Sequence, residues 1–332
     1  TNIQKTSILD ENINSLLSKD TFTITTGHQL NIFTGPLYFI YKIVTVLNAC
    51  KELELKYPEN HFVPVYWMAS EDHDFDEINN FNLFGKKYLW ECDQQGAVGR
   101  FDTQTIKNLL DELPEKPALF EKAYTEFDCL SDAVRYYVNE LFGHEGVVVL
   151  DADDISLKAE FSQIIEDDLM NHHANDLVEQ TNAKLTSLGY AAQIFPRAIN
   201  FFYLHGDVRE RITKAVSTDK QESDAWKVLN TDLSFSEEEL KSLIQNEPEK
   251  FSPNVVMRPL YQEVILPNLA YVGGPAEVVY WMQLKTVFEY YHVPFPILMP
   301  RNFGLVISKP VLKKMDKFGY VSEDVFKKGE EL

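Results

Sequence analysis

The segment TTGHQLNIFTGP, at residues 25–36, follows a β-branched apolar run at 22–26 and precedes a helical pattern that extends to about residue 56. Threonine, isoleucine and phenylalanine favour strands, and Pro36 is suited to the first turn of a helix. A second apolar run follows at 62–69. Because parallel strands need a crossover of about a dozen residues or more, this order of strand, helix and strand predicts a parallel pair.

The same alternation continues along the chain. Further strands are predicted in GVVVLDADD (146–154), NVVMRP (254–259) and PFPILMPR (294–301). Helical patterns are predicted at about 157–188 and between the last two strands. Alternating strands and helices predict an open, doubly wound α/β sheet.

Two polar stretches interrupt this alternation, and we predict that they are insertions into the core. The predicted division of the chain is 1–100 for the first half of the core, 101–145 for a helical insertion, 146–190 for a core strand and helix, 191–252 for a second insertion with a β hairpin and acidic helices, 253–310 for the second half of the core, and 311–332 for the start of a C-terminal helical region.

Composition excludes several classes of function. The 332 residues are 45% hydrophobic, yet no apolar run reaches the roughly 18 to 20 residues of a membrane helix. A net charge of −20 argues against a protein that coats nucleic acid or anionic lipid. The three cysteines are widely spaced and form no C-x-x-C pair, so no zinc or disulfide framework is indicated. We expect a cytoplasmic protein.

Polar residues follow the predicted strands, where ligands bind in doubly wound sheets. Thr25 to His28 fit the pattern T-x-G-H, in which Gly27 would let the backbone approach a phosphate and His28 would donate to developing charge. The alternative is a turn glycine beside a structural histidine.

The second strand ends in Ser-Glu-Asp-His-Asp at residues 70–74. Clustered carboxylates with a histidine could bind an amine, hold a metal or act as a general base. A solvated acidic loop is the alternative.

A glycine turn at 271–277, YVGGPAE, leads into a helix, where free backbone N–H groups could meet an anion. The alternative is an ordinary turn at the start of a helix. Arg258 and Arg301 each adjoin a proline at a predicted strand end, and their guanidinium groups could hold phosphate or carboxylate, or form structural ion pairs.

The T-x-G-H pattern after a first strand resembles the (H/T)-x-G-H motif of nucleotidylyltransferases and class I aminoacyl-tRNA synthetases. The longer blocks TGHQLNIFTGPLYFIYKI, HFVPVYWMASEDHDFDEIN, SPNVVMRPLYQEVILPNLAYVGGPAEVVYW and PFPILMPRN resemble the bacillithiol biosynthesis cysteine-adding enzymes, the cysteine ligase BshC family. The resemblance implies a Rossmann-like core with connecting-peptide insertions, related to the synthetase and nucleotidylyltransferase core. It also implies a C-terminal coiled coil that makes a homodimer, and this chain stops near the start of that region.

The resemblance further implies the last step of bacillithiol synthesis, in which L-cysteine is joined to the amine of glucosaminyl malate. A carboxylate needs activation to acylate an amine, so we expect ATP as co-substrate; no metal motif is present, although Mg²⁺ can accompany ATP. Two alternatives stay open: a metal-dependent hydrolase that uses His28, Asp72, His73 and Asp74, or a noncatalytic nucleotide-binding scaffold.

These considerations give three sets of candidate residues. The predicted catalytic residues are His28, Asp72, His73 and Asp74. The predicted nucleotide or phosphate-binding residues are Thr25, Gly27, His28, Gln29, Gly35 and Pro36. The predicted substrate-binding residues are Ser70, Glu71, Arg258, Tyr271, Gly273, Gly274, Glu277, Trp281, Arg301 and Asn302.

Overall fold

The computed structural model describes residues 6–216 and 222–331. Its strands are β1 Thr21–His28, β2 His61–Met68, β3 Asn80–Leu83, β4 Lys86–Leu89, β5 Val148–Asp151, β6 Phe201–His205, β7 Val208–Val216, β8 Glu222–Val228, β9 Ser234–Ser236, β10 Phe251–Pro253, β11 Asn268–Gly273 and β12 Ile297–Pro300. Its α-helices are α1 Ser7–Ser15, α2 Tyr38–Lys56, α3 Phe75–Ile78, α4 Ile106–Glu112, α5 Ala118–Glu126, α6 Leu130–Phe142, α7 Ile155–Ala159, α8 Ser162–Asn171, α9 His173–Ser187, α10 Glu237–Asn246, α11 Met257–Ile265, α12 Pro275–Met282, α13 Lys285–Tyr290 and α14 Lys309–Phe318.

The chain forms two compact units, residues 1–301 and 302–332. The second unit contains α14, which starts with a proline in its first turn and ends at Gly319 in the left-handed conformation.

A five-stranded parallel sheet forms the centre of the first unit, in the order β12-β11-β1-β2-β5. The central strand is β1, and strand order reverses there, so the sheet is doubly wound as predicted. Along β2, Val63, Val65 and Trp67 pack into one apolar cluster, whereas Tyr66 and Met68 pack into another. Both faces of the sheet are therefore covered, which parallel sheets require.

The range 101–145 contains α4, α5 and α6. The range 191–252, predicted as a hairpin with acidic helices, contributes a five-stranded antiparallel sheet of order β10-β6-β7-β8-β9. Among its described residues, 191–216 and 222–252, α10 is the one α-helix. Within the sheet, β6 and β7 form an antiparallel hairpin. Strand pairing in this region outweighs the helical period of its charged residues.

The strand predicted at 254–259 is wrong. Asn254 accepts hydrogen bonds from the backbone of Val256 (2.8 Å) and Met257 (3.3 Å), and α11 begins at Met257, so Arg258 lies in a first helical turn. The fourth core strand is β11, which includes Tyr271 and Gly273. Those residues were predicted to form a turn.

Two predicted helices also differ from the prediction. The segment at 157–188 is broken into α7, α8 and α9, and His172 adopts the left-handed conformation between the last two. A short 3₁₀ turn precedes α2, so Pro36 lies two residues before that helix.

Across the described ranges, we find no helix with the length and apolarity needed to cross a membrane.

Candidate functional site

The candidate site lies where β1 and β11 end side by side. Gly27 and His28 are the last residues of β1, and Gly273 ends β11 directly before Gly274, which caps α12. In doubly wound sheets this reversal point, at the carboxyl ends of the strands, is the usual position of a ligand crevice. The structure thus brings together the T-x-G-H segment and the second glycine turn.

A buried ion pair joins the two glycine segments. Lys42 of α2 places its Nζ 2.8 Å from the carbonyl oxygen of Gly27 and 2.5 Å from Oε2 of Glu277. Glu277 also accepts hydrogen bonds from the Gly274 N–H (2.7 Å) and the Tyr271 hydroxyl (2.8 Å). Glu277 therefore uses its acceptor capacity inside the protein and occupies the N-terminus of α12.

The surroundings of this pair set its charges. Burial alone would raise the pKa of Glu277, but the ammonium of Lys42 and the two other donors bring the pKa below its usual value. Burial lowers the pKa of Lys42, and the charge of Glu277 opposes that shift. Both groups lose solvation, and each provides the other's charge compensation.

His28 is an uncharged imidazole at neutral pH. Burial, and next the positive charge of Lys42, lower its pKa to about 3. Its ring contacts Tyr38 at 5.4 Å and Phe39 at 5.6 Å between centroids, at the start of α2. A neutral imidazole can still donate one N–H or accept a proton.

Arg258 lies against Gly27. A Cβ atom at Gly27 would stand 3.3 Å from Nη1 of Arg258, so any other residue would displace the guanidinium slightly. The guanidinium carbon lies 5.8 Å from the centre of the Tyr271 ring and 5.7 Å from that of Trp281. Its Nη2 is buried without a hydrogen-bond partner among the described residues, so a donor is left for an acceptor group.

Arg301 adds a second guanidinium at the end of β12. Its backbone N–H donates to the Gly273 carbonyl (2.9 Å), and its guanidinium carbon lies 5.0 Å from the centre of the Tyr38 ring. Tyr271 and Trp281 stack at 4.1 Å beneath the crevice. The crevice is thus surrounded by cations and aromatic rings.

The acidic loop after β2 lies at the neighbouring strand end and has its own buried ion pair. Glu71 accepts a hydrogen bond from Lys158 of α7, whose Nζ also donates to the Phe251 carbonyl (2.7 Å). Burial raises the pKa of Glu71 and lowers that of Lys158. This pair ties the core to the antiparallel sheet, so Glu71 is committed to an internal contact.

Asp72 organises the loop. Its carboxylate accepts hydrogen bonds from Gln29 (2.9 Å) and from the backbone N–H groups of His73 (2.7 Å) and Asp74 (3.2 Å). Burial would raise the pKa of Asp72, but the neighbouring His73, the amide of Gln29 and the charge of Arg209 lower it well below its usual range. A carboxylate this acidic can attract an amine but is a weak base.

Arg209 reaches this loop from β7 of the antiparallel sheet. Its Nη1 lies 2.6 Å from Nδ1 of His73, its Nε donates to Ser252 (3.1 Å), and its guanidinium lies 4.1 Å above the ring of Phe202. Asp74 is exposed at the edge of the loop. The loop and Arg209 together therefore combine three carboxylates, a histidine and one guanidinium.

Several predicted residues have structural contacts. Thr25 is fully buried and donates to Asn268 (2.8 Å), and Ser70 is buried and donates to Asp151. Gly35 has a φ of 60°, where a Cβ would stand 2.5 Å from that of Asn31. Asn302 belongs to the second unit. These contacts do not test the predicted binding roles.

The sequence patterns did not indicate Lys42, Lys158 and Arg209. Each lies in an apolar or alternating segment, where a basic side chain more often has an exposed head group. Within 6–216 and 222–331, no three His, Cys, Asp or Glu side chains are grouped so as to hold a metal ion. The hydrolase alternative therefore has no ligand set in that part of the chain.

The reversed strand order and glycine-bearing strand ends define a Rossmann-like α/β domain. Residues 1–302 match the family described as "Bacillithiol biosynthesis BshC, N-terminal Rossmann-like domain". The chain belongs to this family.

Three curated relatives illustrate the similarity, and each is named "Putative cysteine ligase BshC". The protein of Flavobacterium psychrophilum is 45% identical over 100% of this chain and 63% of its own length. That of Cytophaga hutchinsonii is 46% identical over 96% of this chain and 60% of its own. That of Chlorobaculum tepidum is 31% identical over 92% and 57%. The chain thus spans less than two thirds of the length of each of these relatives.

Proposed function

We propose that this chain is the Rossmann-like part of a ligase that adds L-cysteine to the amine of glucosaminyl malate and forms bacillithiol. The observation that carries the proposal is the convergence of Gly27, Arg258 and Arg301 at the reversal point of the sheet. The names of the family and of its curated relatives agree with this reaction.

The chemistry requires activation of a carboxylate. An amine does not displace hydroxide from a carboxylate at neutral pH, and transfer of a phosphoryl or adenylyl group from ATP provides a better leaving group. We assign ATP to the crevice, where Gly27 permits close approach and His28 and the two arginines are the donors. A neutral His28 can hydrogen-bond to a phosphate oxygen, while the arginines supply positive charge.

We assign the amine substrate to the acidic loop. Asp72 is held ionised by its three donors, so it can attract an ammonium group. Asp74 is exposed on the same loop, and we assign to it the role of accepting the amine proton. Glu71 and Glu277 serve as internal partners of Lys158 and Lys42.

The test uses the full-length protein with L-cysteine, glucosaminyl malate and ATP, and mass spectrometry of the thiol product. We expect bacillithiol together with ADP or AMP, and a loss of about 10²-fold or more in rate for Arg258→Met. Exposed Lys51→Met is the matched control.

Nucleotide binding without any amide product would favour the scaffold. Product formation without ATP would contradict the proposal that ATP activates the carboxylate. Cytoplasmic location and a homodimer through a coiled coil outside this chain stay predictions.

A further inference from the structure

The contact between Arg209 and His73 fixes the hydrogen positions of the histidine ring. A guanidinium group has only donors, so Nδ1 of His73, at 2.6 Å from Nη1, is the acceptor. An accepting Nδ1 places the ring hydrogen on Nε2. Nε2 of His73 is therefore a donor in this arrangement, whereas Nδ1 faces Arg209 and lies 3.6 Å from Oδ1 of Asp72.

Arg209 is held rigidly but keeps donors in reserve. Phe202 supports one face of the guanidinium at 4.1 Å, and Ser252 accepts from Nε at 3.1 Å. No hydrogen bond joins Nη2 to a described residue, and the Arg209 side chain is partly exposed. An immobilised fork with a free N–H group suits a planar acceptor such as a carboxylate.

Charges of both signs lie close together here. The carboxylate of Asp72 is 3.6 Å from the His73 ring that Arg209 contacts, and Asp74 is exposed on the same loop. A ligand that carries an amine and a carboxylate a few bonds apart would meet acceptors for the first and donors for the second. The amine substrate of the proposed reaction has this combination.

We propose that Arg209 and His73 form a binding point for a carboxylate of the amine substrate, separate from the arginines of the crevice. This inference rests on the proposed function for the identity of the substrate. It makes the antiparallel sheet part of substrate recognition, because β7 supplies Arg209 and β6 supplies Phe202. Arg209 determines which amine is accepted, and the chemistry proceeds at the neighbouring strand end.

The experiment compares Arg209→Met with Arg211→Met in the full-length protein. Arg211 is an exposed arginine two residues along the same strand, so it matches the change in charge. Sodium malate and inorganic phosphate are titrated separately by calorimetry. We expect Arg209→Met to weaken malate binding about tenfold or more and to leave phosphate binding within about twofold. Arg211→Met should leave both unchanged.

Steady-state kinetics give a second readout. Arg209→Met should raise the KM for the amine substrate about tenfold or more, with kcat and the KM for ATP nearly unchanged. Arg209→Lys should recover part of the malate affinity, and His73→Phe, which keeps a ring but removes the donor, should lose part of it. Melting temperatures identify any variant that fails to fold. If Arg209→Met fails to fold, the malate affinity of Arg209→Lys is compared with that of the wild type instead.

Equal malate affinity in wild type and Arg209→Met would overturn the inference, as would absence of malate binding to the wild type. Loss of phosphate binding with intact malate binding would overturn the carboxylate assignment. If the wild type makes no amide product, the proposed function fails, and the malate titration still decides the role of Arg209.

Discussion

Two buried lysine and glutamate pairs lie at neighbouring strand ends, and their carboxylates respond in opposite directions. In the crevice, Glu277 pairs with Lys42 and its pKa falls. In the acidic loop, Glu71 pairs with Lys158 and its pKa rises. The residue types are the same, so their surroundings cause the difference.

The number of donors and the nearby charges explain the contrast. Glu277 receives a backbone N–H and a tyrosine hydroxyl in addition to Lys42. Glu71 has the ammonium of Lys158, is more deeply buried and is close to the negative charge of Asp153. The same two residue types can therefore form an ion pair that contributes charge to the crevice, as Lys42 and Glu277 do, or one that joins the core to the antiparallel sheet, as Lys158 and Glu71 do.

The largest expected effect is on stability at the acidic loop. Lys158→Met leaves Glu71 buried without its partner, so the free energy of unfolding should fall by about 3–5 kcal/mol. Urea unfolding followed by circular dichroism measures this loss. The double variant with Glu71→Gln should cost less than the sum of the single changes, and simple additivity would refute the coupling.

Lys42→Met should affect the reaction more than the fold. Loss of the ammonium releases Gly27 from Glu277, and a shift of about 1 Å between strand ends typically costs ~10² in rate. The rate of amide formation should therefore fall about 10²-fold. Lys158→Met, assayed at a temperature at which it is folded, is the comparison. A greater loss of rate for Lys158→Met would reverse the division between the two pairs.

His28 gives the crevice a pH signature. Its pKa is about 3 in the folded protein and ordinarily 6.5, so only the unfolded chain binds a proton between these values. The contribution to stability is complete above pH 6.5 and decreases as the pH falls toward 3. His28→Gln should reduce the slope of unfolding free energy against pH by up to about 1.4 kcal/mol per pH unit in this window. An unchanged slope would contradict the burial of His28.

Two glycines give the smallest expected effects and again separate the regions. A Cβ at Gly99 would meet backbone and Cβ atoms of Ser70 at 2.6–3.0 Å, whereas one at Gly27 would meet the mobile end of Arg258 at 3.3 Å. Gly99→Ala should therefore cost about 1–3 kcal/mol of stability. Gly27→Ala should cost less stability but weaken ATP binding severalfold. Unfolding curves and ATP titrations of both variants measure the two effects, and equal stability losses would disprove the distinction.

Strong apolar runs made much of the parallel sheet predictable. The strands β1, β2, β5 and β12 each contain a compact run of apolar or β-branched residues, and polar residues follow them. The sequence did not indicate β11 because its first residue, Asn268, is polar. Gly273 and Gly274, at the other end of the strand, indicate a turn. Val255 to Met257 have strand propensity, but capping by Asn254 starts a helix there.

The candidate site was only partly accessible from sequence. Local motifs indicated Gly27, His28 and Asp72, whereas Lys42 and Arg209 act through partners that are distant in the chain. A single sequence contains no record of such pairings. The sequence likewise did not indicate the lysines that bind Glu71 and Glu277 internally, and the substrate-binding roles of these two glutamates stay predictions.

The central position of β1 has a consequence for synthesis of the chain. Thr25 of β1 and Asn268 of β11 are 243 positions apart, so one edge of β1 has no partner until β11 has been made. At about 5–20 residues per second, a ribosome needs roughly 12–50 s to cover that distance. During this time an open parallel edge can pair with other chains. Slow translation between these two strands should therefore increase aggregation of the nascent protein.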